Sequence, residues 1–303
     1  MKVVIVGLPF FAKRLTESLG RFDTQNKYLF LDTYTKKIDK LKALFKIPKA
    51  SIVLSINGSL STSGLFDLAI KKNVPLVMMW VGSDVQQAKM DIQNATARLD
   101  YLQYAHHFCE VDWIQDELAA IGISARLQNF AAFKKQFTLK SFDKLKLSVF
   151  SYINDRDPLF YGMNELITLA KHFPQINFEV VGTKAESFTP LPHNIHTHGW
   201  VQHLNEYYDK CQVSIRFPDH DGLATVVLES LARGKQVLYK YPFPHCKHVP
   251  SLDKLIEELS ILEKQFESNE LTENTVGMQF IADQFNEQAI FEGMIQALKS
   301  LSK

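Results

Sequence analysis

Two carboxylates eight positions apart, Asp221 and Glu229, enclose a glycine and an apolar triplet in the stretch SIRFPDHDGLATVVLESLARGKQVLYKYPFP, Ser214 to Pro244. The β-branched and aromatic run Val213 to Phe217 predicts a strand, and Pro218 to Gly222 a polar loop. An apolar-periodic segment from about Ala224 to Arg233, closed by Gly234, predicts a helix, and Gln236 to Tyr241 a second strand. Gly222 lets a backbone approach a ligand closely, and the amides of residues 222 to 226 suit an anion such as a diphosphate. Plainer readings stand beside this one. Asp221 could cap the helix, and Glu229 could pair with Arg233 at i,i+4, a contact worth only ~0.2–0.5 kcal/mol.

The elements that would position these groups follow from the rest of the chain. At 303 residues it is long enough for two domains with separate cores. Hydrophobic content of 46% and charged content of 22% are those of a globular protein, and a net charge of +1 supplies no global field toward nucleic acid. Three separated cysteines (Cys109, Cys211, Cys246) argue for a reducing compartment and against a disulfide framework. The start, MKVVIVGLPFF, reads as a buried strand instead of a signal peptide, and the longest apolar run, Val74 to Gly82, is too short to span a bilayer. The expectation is a cytoplasmic protein, with peripheral contact at the inner membrane face as its only membrane option.

Strands are predicted at 2 to 8, 27 to 31, 51 to 56, 75 to 80 and 106 to 109, with helices at 10 to 19, 36 to 45, 62 to 72, 85 to 99 and 113 to 121 between and after them. This alternation predicts a doubly wound parallel sheet whose ligands meet the loops after Gly7, Asn57, Trp80 and Glu110. The basic, aromatic-dotted stretch 130 to 146 reads as a connection with a solvated surface. Alternation restarts at Leu147, with strands at 147 to 153, 178 to 182 and 194 to 197 and helices at 161 to 173 and 203 to 209 ahead of the opening stretch. Helices at 252 to 268 and 275 to 301, the latter interrupted near 285 to 288, complete the chain. The fold class expected is α/β, two Rossmann-like domains facing a cleft: 1–140, 141–284, and a helix at 285–303 crossing back to the first domain.

The string DGLATVVLE followed by SLARGKQVL resembles the acidic-x7-Glu signature of retaining GT-B glycosyltransferases, specifically family 4, and His220-Asp221-Gly222-Leu223 is similar to the His-Asp-Gly-Leu form of some bacterial branches. Val81-Gly82-Ser83-Asp84 resembles the Gly-Thr-Asp element after the strand that lines the sugar site. Trp113-Ile114, Glu117-Leu118 and Ile121-Gly122-Ile123 are similar to the helix and turn before the last N-terminal strand. Phe178 to Gly182 and His198-Gly199-Trp200 resemble elements around the nucleotide base.

That resemblance implies transfer of a hexose from a nucleoside-diphosphate sugar, UDP- or GDP-linked, to a glycan or lipid-linked acceptor in polysaccharide biosynthesis. It implies retention of anomeric configuration, helix dipoles and basic side chains in place of a metal, and no cofactor beyond the co-substrate. Glu229 would hold the ribose hydroxyls and Asp221 the donor sugar, while His220, Gly222, Leu223, Ala224 and Thr225 would line the donor. Gly7, Gly82, Ser83 and Asp84 would lie on the acceptor or sugar side. The sequence departs from the family in three places. The Arg and Lys usual after the first strand of the second domain are missing, SYINDRDPLFYG offering Arg156 alone. Met79 or Trp80 stands where a His is common, and Asp221 where Glu is commoner. Arg216 is therefore the candidate phosphate partner, its alternative being an ion pair with Asp219 or Asp221.

His196-x-His198 and His245-x2-His248 have no evident third ligand, so no metal site is expected. The segment 36 to 49 carries six lysines with Leu41, Leu44 and Ile47 between them, which suits either a solvated face or a membrane surface. Two other functions remain open at this point: an epimerase acting on the nucleotide sugar, and a non-catalytic partner that binds it. No nucleic-acid partner is expected, and the oligomeric state is open.

Overall fold

The computed structural model describes residues 1–133, 137–142, 145–184 and 186–302. It divides into two units, residues 1–132 together with the segment from Asn286 onward, and Phe133–Phe285. The first unit runs β1 (Lys2–Gly7), α1 (Pro9–Phe22), β2 (Lys27–Phe30), α2 (Lys37–Lys46), β3 (Ile52–Ile56), α3 (Gly64–Lys71), β4 (Leu76–Trp80), α4 (Ser83–Gln93), α5 (Leu99–Tyr104), β5 (His106–Cys109), α6 (Asp112–Ala119) and β6 (Ala125–Leu127). Its sheet is parallel throughout, in the order β2-β1-β3-β4-β5-β6. The strands β3 and β4 are buried along their whole length, which is why they read as unbroken apolar runs: helices cover both faces of such a sheet.

The second unit runs β7 (Ser148–Tyr152), α7 (Met163–His172), β8 (Asn177–Val181), β9 (Ile195–Thr197), α8 (Asn205–Lys210), β10 (Val213–Arg216), α9 (Thr225–Ala232), β11 (Gln236–Tyr239), β12 (Lys247–His248), α10 (Leu252–Glu267) and α11 (Thr275–Gln284). Its sheet is also parallel, in the order β12-β11-β10-β7-β8-β9. The last helix, α12 (Glu287–Leu301), belongs to the first unit. There Phe291, Met294, Ile295 and Leu298 join Val3, Ile5, Leu54 and Val77 in one core. Full burial of Met294 and Leu298 contributes roughly 1.5–3 kcal/mol for each side chain. The chain thus carries two Rossmann-like α/β sheets, one in each unit.

The structure departs from the sequence-based elements in specific places. The helix expected over 85 to 99 is two helices, α4 and α5. Between them Ala95 takes a positive φ of 56°, the amides of Thr96 and Ala97 turn back to the Asp91 carbonyl at 2.8 and 3.1 Å, and Arg98 donates its amide to Leu60 O at 2.8 Å. Strands β6 and β12, three and two residues long, are too short to register as alternation. Of the expected connection over 130 to 146, Lys134, Lys135, Gln136, Asp143 and Lys144 lie outside the described residues. Of its described part, Phe130 and Ala131 belong to the first unit, whereas in the second Phe137 lies 3.9 Å under the Arg233 guanidinium and Lys140 pairs with Asp209 at 2.6 Å.

Candidate functional site

In the second sheet the strand order reverses between β7 and β10. Ligands of open parallel sheets collect in the crevice at the carboxyl ends of two such strands. Arg216, the last residue of β10, reaches across that point and donates from a terminal guanidinium nitrogen to the Tyr152 carbonyl, at the end of β7, at 3.2 Å. Its Nε and second terminal nitrogen hold both oxygens of Asp221, at 2.7 and 3.2 Å, and its guanidinium lies 4.8 Å over the Tyr161 ring. The Arg216 side chain is 7% exposed and that of Asp221 14%, so the pair is nearly dry. Arg216 is held charged although burial disfavours its charge, because the carboxylate beside it more than compensates.

The loop that carries Asp221 is fixed from several sides. The Asp219 amide donates to Phe160 O at 2.7 Å, the Asp221 amide to the Tyr241 hydroxyl at 3.2 Å, and the Tyr239 hydroxyl to Gly222 O at 2.9 Å. Buried His220 packs near-perpendicular to the Tyr241 ring, their centroids 6.3 Å apart. After this loop Leu223 and Ala224 are buried and α9 begins at Thr225. Ala224 occupies the cap position, so no side chain caps the helix: Asp221 is drawn away by Arg216, and the cap reading of Asp221 gives way to the ion pair. An amino terminus without a side-chain cap, beside a buried guanidinium, retains the partial positive charge that favours an anion.

Glu229 sits on the second turn of α9, its side chain 27% exposed and one oxygen 4.0 Å from Arg233. Arg233 spends its stronger contacts elsewhere, on Glu229 O at 3.0 Å, Asn205 Oδ1 at 2.9 Å and the Tyr208 ring at 4.3 Å. Burial first and the Glu229 charge second hold the Tyr208 hydroxyl well above the usual phenol range. The plainer reading of Glu229 is thus present in weakened form, as a contact at the limit of ion pairing that leaves the carboxylate partly open to solvent.

In the first sheet the order reverses between β1 and β3; of the residues expected on the acceptor side, Gly7 ends β1 at that point, and Gly82, Ser83 and Asp84 follow β4. Gly7 has φ +102°, and a Cβ on it would stand 2.1 Å from Ile56 O; the Leu8 amide donates to that same oxygen at 2.8 Å. Only glycine permits so close an approach at that φ. Gly82, at φ 139°, leads into Ser83 and α4. The Asp84 carboxylate turns back and accepts the amides of Gly58 at 2.7 Å, Gly82 at 2.8 Å, and Val81 and Val85 at 3.1 Å. Asp84 therefore ties the loops after β3 and β4 together, and burial pushes its pKa up to about 6 against those amides. Beneath them the Trp80 indole donates to His107 Nδ1 at 3.1 Å, and burial lowers the pKa of that imidazole.

Several contributors escaped sequence reasoning. Glu110, just past β5, accepts the amides of Phe130 at 3.1 Å and Ala131 at 3.3 Å, and burial pushes its pKa up to about 7. Tyr161, Tyr239 and Tyr241, which hold the Arg216–Asp221 loop, carry no motif: Tyr161 opens a predicted helix, and Tyr239 and Tyr241 fall in the predicted strand from Gln236. Two Asp-x-Asp strings are present, Asp155-Arg156-Asp157 and Asp219-His220-Asp221. Three of their four carboxylates go to close local partners: Asp155 accepts the Thr183 hydroxyl at 2.6 Å, Asp157 the Phe160 amide at 3.2 Å, and Asp221 binds Arg216, while Asp219 is exposed, 4.0 Å from Lys240. Of the histidine pairs, His198 meets Glu179 at 2.6 Å. Among the described residues no three His, Cys, Asp or Glu side chains gather as a metal would require.

In sequence comparison no protein-family profile and no curated protein matches the chain. Solved structures do match its fold. Anabaena Alr3699/HepE in complex with UDP-glucose superposes with a TM-score of 0.73 at 10% identity, over 99% of this chain and 100% of that one. Sucrose-phosphate synthase from Thermosynechococcus elongatus gives 0.74 at 13% identity, over 99% of both chains. A glycosyltransferase from Rickettsia africae ESF-5 gives 0.69 at 10% identity, over 100% of this chain and 99% of that one. The similarity thus runs the full length of these two-unit proteins.

Proposed function

We propose that the protein is a glycosyltransferase that takes a hexose from a nucleoside-diphosphate sugar. The observation that carries this reading is the Arg216–Asp221 pair at the switch point of the second sheet, beside a helix α9 whose first turn no side chain caps. A diphosphate leaving group needs positive charge where its own charge grows: the α9 terminus offers it without reorganisation, and the Arg216 guanidinium does so by exchanging part of its hold on Asp221 for a phosphate oxygen. HepE, of like fold, binds UDP-glucose, which favours a nucleotide-sugar donor here.

In this account the donor lies on the second unit. Glu229 takes the ribose hydroxyls as a two-oxygen acceptor. Asp221, fixed by Arg216, faces the donor sugar hydroxyls, and the amides of Thr225 and its neighbours face the diphosphate. Arg216 takes the place of the basic pair that family 4 keeps after its first C-terminal strand. Gly7 and the Gly82-Ser83-Asp84 turn belong to the acceptor side, which receives a glycan or lipid-linked hydroxyl. The reaction retains configuration: the acceptor oxygen attacks on the face that the leaving phosphate vacates. The bond from the anomeric carbon to the phosphate oxygen breaks, and that phosphate oxygen takes the acceptor's proton. No cofactor or metal enters this scheme. An epimerase would need an acid and a base flanking the sugar, and the residues assigned to the donor here suggest no such pair.

Release of nucleoside diphosphate from a panel of UDP- and GDP-sugars, with and without glycan acceptors, tests the proposal. Acceptor-dependent release is expected. Binding of donor with no turnover across the panel would make the protein a non-catalytic sugar-nucleotide binder, and conversion of donor without acceptor would make it an epimerase.

A further inference from the structure

Arg233 stands at the carboxyl end of α9, one turn beyond Glu229, at the i,i+4 spacing where a carboxylate and a guanidinium ordinarily pair. Here they stop short. Nitrogen and carboxylate oxygen stand 4.0 Å apart, although the Arg233 side chain is only 12% exposed and has little solvent to turn to. Other groups engage it instead. One terminal nitrogen donates to Glu229 O at 3.0 Å, and the other to Asn205 Oδ1, at the start of α8, at 2.9 Å. The guanidinium carbon lies 3.9 Å from the centre of the Phe137 ring and 4.3 Å from that of Tyr208. Tyr208 is a fixed wall, fully buried and packed on Phe150 with ring centres 4.5 Å apart. Phe137 is half-buried and belongs to no helix or strand. The segment 137–142 places it, and that segment is fastened beyond it at three points. Leu139 packs so closely on Gly234 that a Cβ there would stand 2.5 Å from its methyl, Lys140 pairs with Asp209 at 2.6 Å, and the Phe142 amide donates to the Glu273 carboxylate at 2.7 Å.

We propose that Phe137 is a positioning residue for the nucleotide donor: its ring, with that of Tyr208, holds the Arg233 guanidinium off Glu229 and so keeps that carboxylate open for the ribose hydroxyls. The inference rests on the donor reading above and adds to it how Glu229 is kept available. A carboxylate locked to a guanidinium must break that pair before it accepts a diol, and apparent affinity falls with the fraction of molecules in which it is open. Stacking on one partly exposed ring and an i,i+4 ion pair are comparable in strength. Removal of the Phe137 ring therefore lets the guanidinium swing onto Glu229, whereas the buried Tyr208 ring alone does not hold it back.

The test is titration of UDP and of GDP into the wild-type, Glu229→Ala, Phe137→Ala, Phe137→Tyr and Phe137→Ala/Arg233→Met proteins. Phe137→Ala should raise Kd about two- to fivefold, and less at high salt, which screens the new pair. Phe137→Tyr keeps the ring and should bind as the wild type does. So should the double variant, because no guanidinium remains to occupy Glu229; a merely loosened fold would leave it at least as weak as Phe137→Ala. Nucleotide binding that Glu229→Ala weakens and Phe137→Ala leaves unchanged overturns the inference and spares the donor site, as does a double variant no better than the single. Binding of neither nucleotide, or binding indifferent to Glu229→Ala, removes the donor reading and the role of Phe137 with it. The crystal structure of ligand-free Phe137→Ala needs no nucleotide: the Arg233–Glu229 distance should close from 4.0 Å to below about 3.2 Å. A contact that stays at 4.0 Å overturns the inference.

Discussion

Removing either member of the Arg216–Asp221 pair leaves the other charge nearly dry, which makes the pair the most sensitive point of the second unit. Arg216→Met strips Asp221 of two hydrogen bonds at 2.7 and 3.2 Å and deletes the bond to Tyr152 O and the contact over Tyr161. Breaking a buried ion pair from one side costs about 3–5 kcal/mol. Asp221 keeps 14% of its side chain exposed, so the lower end, about 3 kcal/mol, applies. For a unit of this size that corresponds to a fall in melting temperature of roughly 6–12 °C. Asp221→Leu should cost a similar amount. The double variant should cost about as little as one single substitution, because no unpaired charge then remains, giving a coupling of roughly 2–3 kcal/mol. Thermal unfolding of the four proteins at neutral pH measures the cycle. Additive effects, or a shift below about 2 °C for Arg216→Met, would refute the claim that these groups are sequestered together.

The Glu110 carboxyl, raised from 4.5 to about 7 by burial, should make the first unit less stable as pH rises. The unfolded chain releases this proton near 4.5 and the folded chain only near 7, so stability falls across that window, by about 3 kcal/mol at full shift. Glu110→Gln, which keeps an acceptor for the Phe130 and Ala131 amides, should flatten that part of the stability–pH curve and stabilise the protein at pH above 7; an unchanged curve would mean that the carboxyl is solvated. Gly7→Ala should destabilise by at least about 3 kcal/mol, since its methyl would meet Ile56 O at 2.1 Å at φ +102°, and wild-type melting would show that the β1 turn is looser than the structure has it.

Much of the architecture was legible because parallel strands buried on both faces write themselves as apolar runs such as IVLSI and LVMMW. The break near 285 to 288 was visible for a similar local reason: Asn286 caps α12, accepting the Gln288 and Ala289 amides at 2.9 and 3.3 Å. The split between α4 and α5 was not visible, because the Arg98–Leu60 bond that fixes it is a tertiary contact. Within the site, Asp221, Gly222 and Glu229 stood out by spacing. Their three supporting tyrosines did not, since what brings Tyr161, Tyr239 and Tyr241 to one loop is the order of strands in the sheet. Spacing also left Arg216 divided between a phosphate role and an ion pair; the structure pairs it with Asp221. Periodicity likewise could not tell which face of α2 points outward: Leu41 and Leu44 are exposed, whereas Ile47, just past the helix, is buried.

Calorimetric titration of UDP and of GDP into the full chain, repeated with Glu229→Ala, tests the central claim most directly. One of the two nucleotides should bind, and loss of a charged acceptor for the ribose diol should weaken it by about 1.5–3 kcal/mol, roughly tenfold to more than a hundredfold in Kd. Binding of neither nucleotide, or equal affinity in the Glu229→Ala variant, would contradict a donor site on α9.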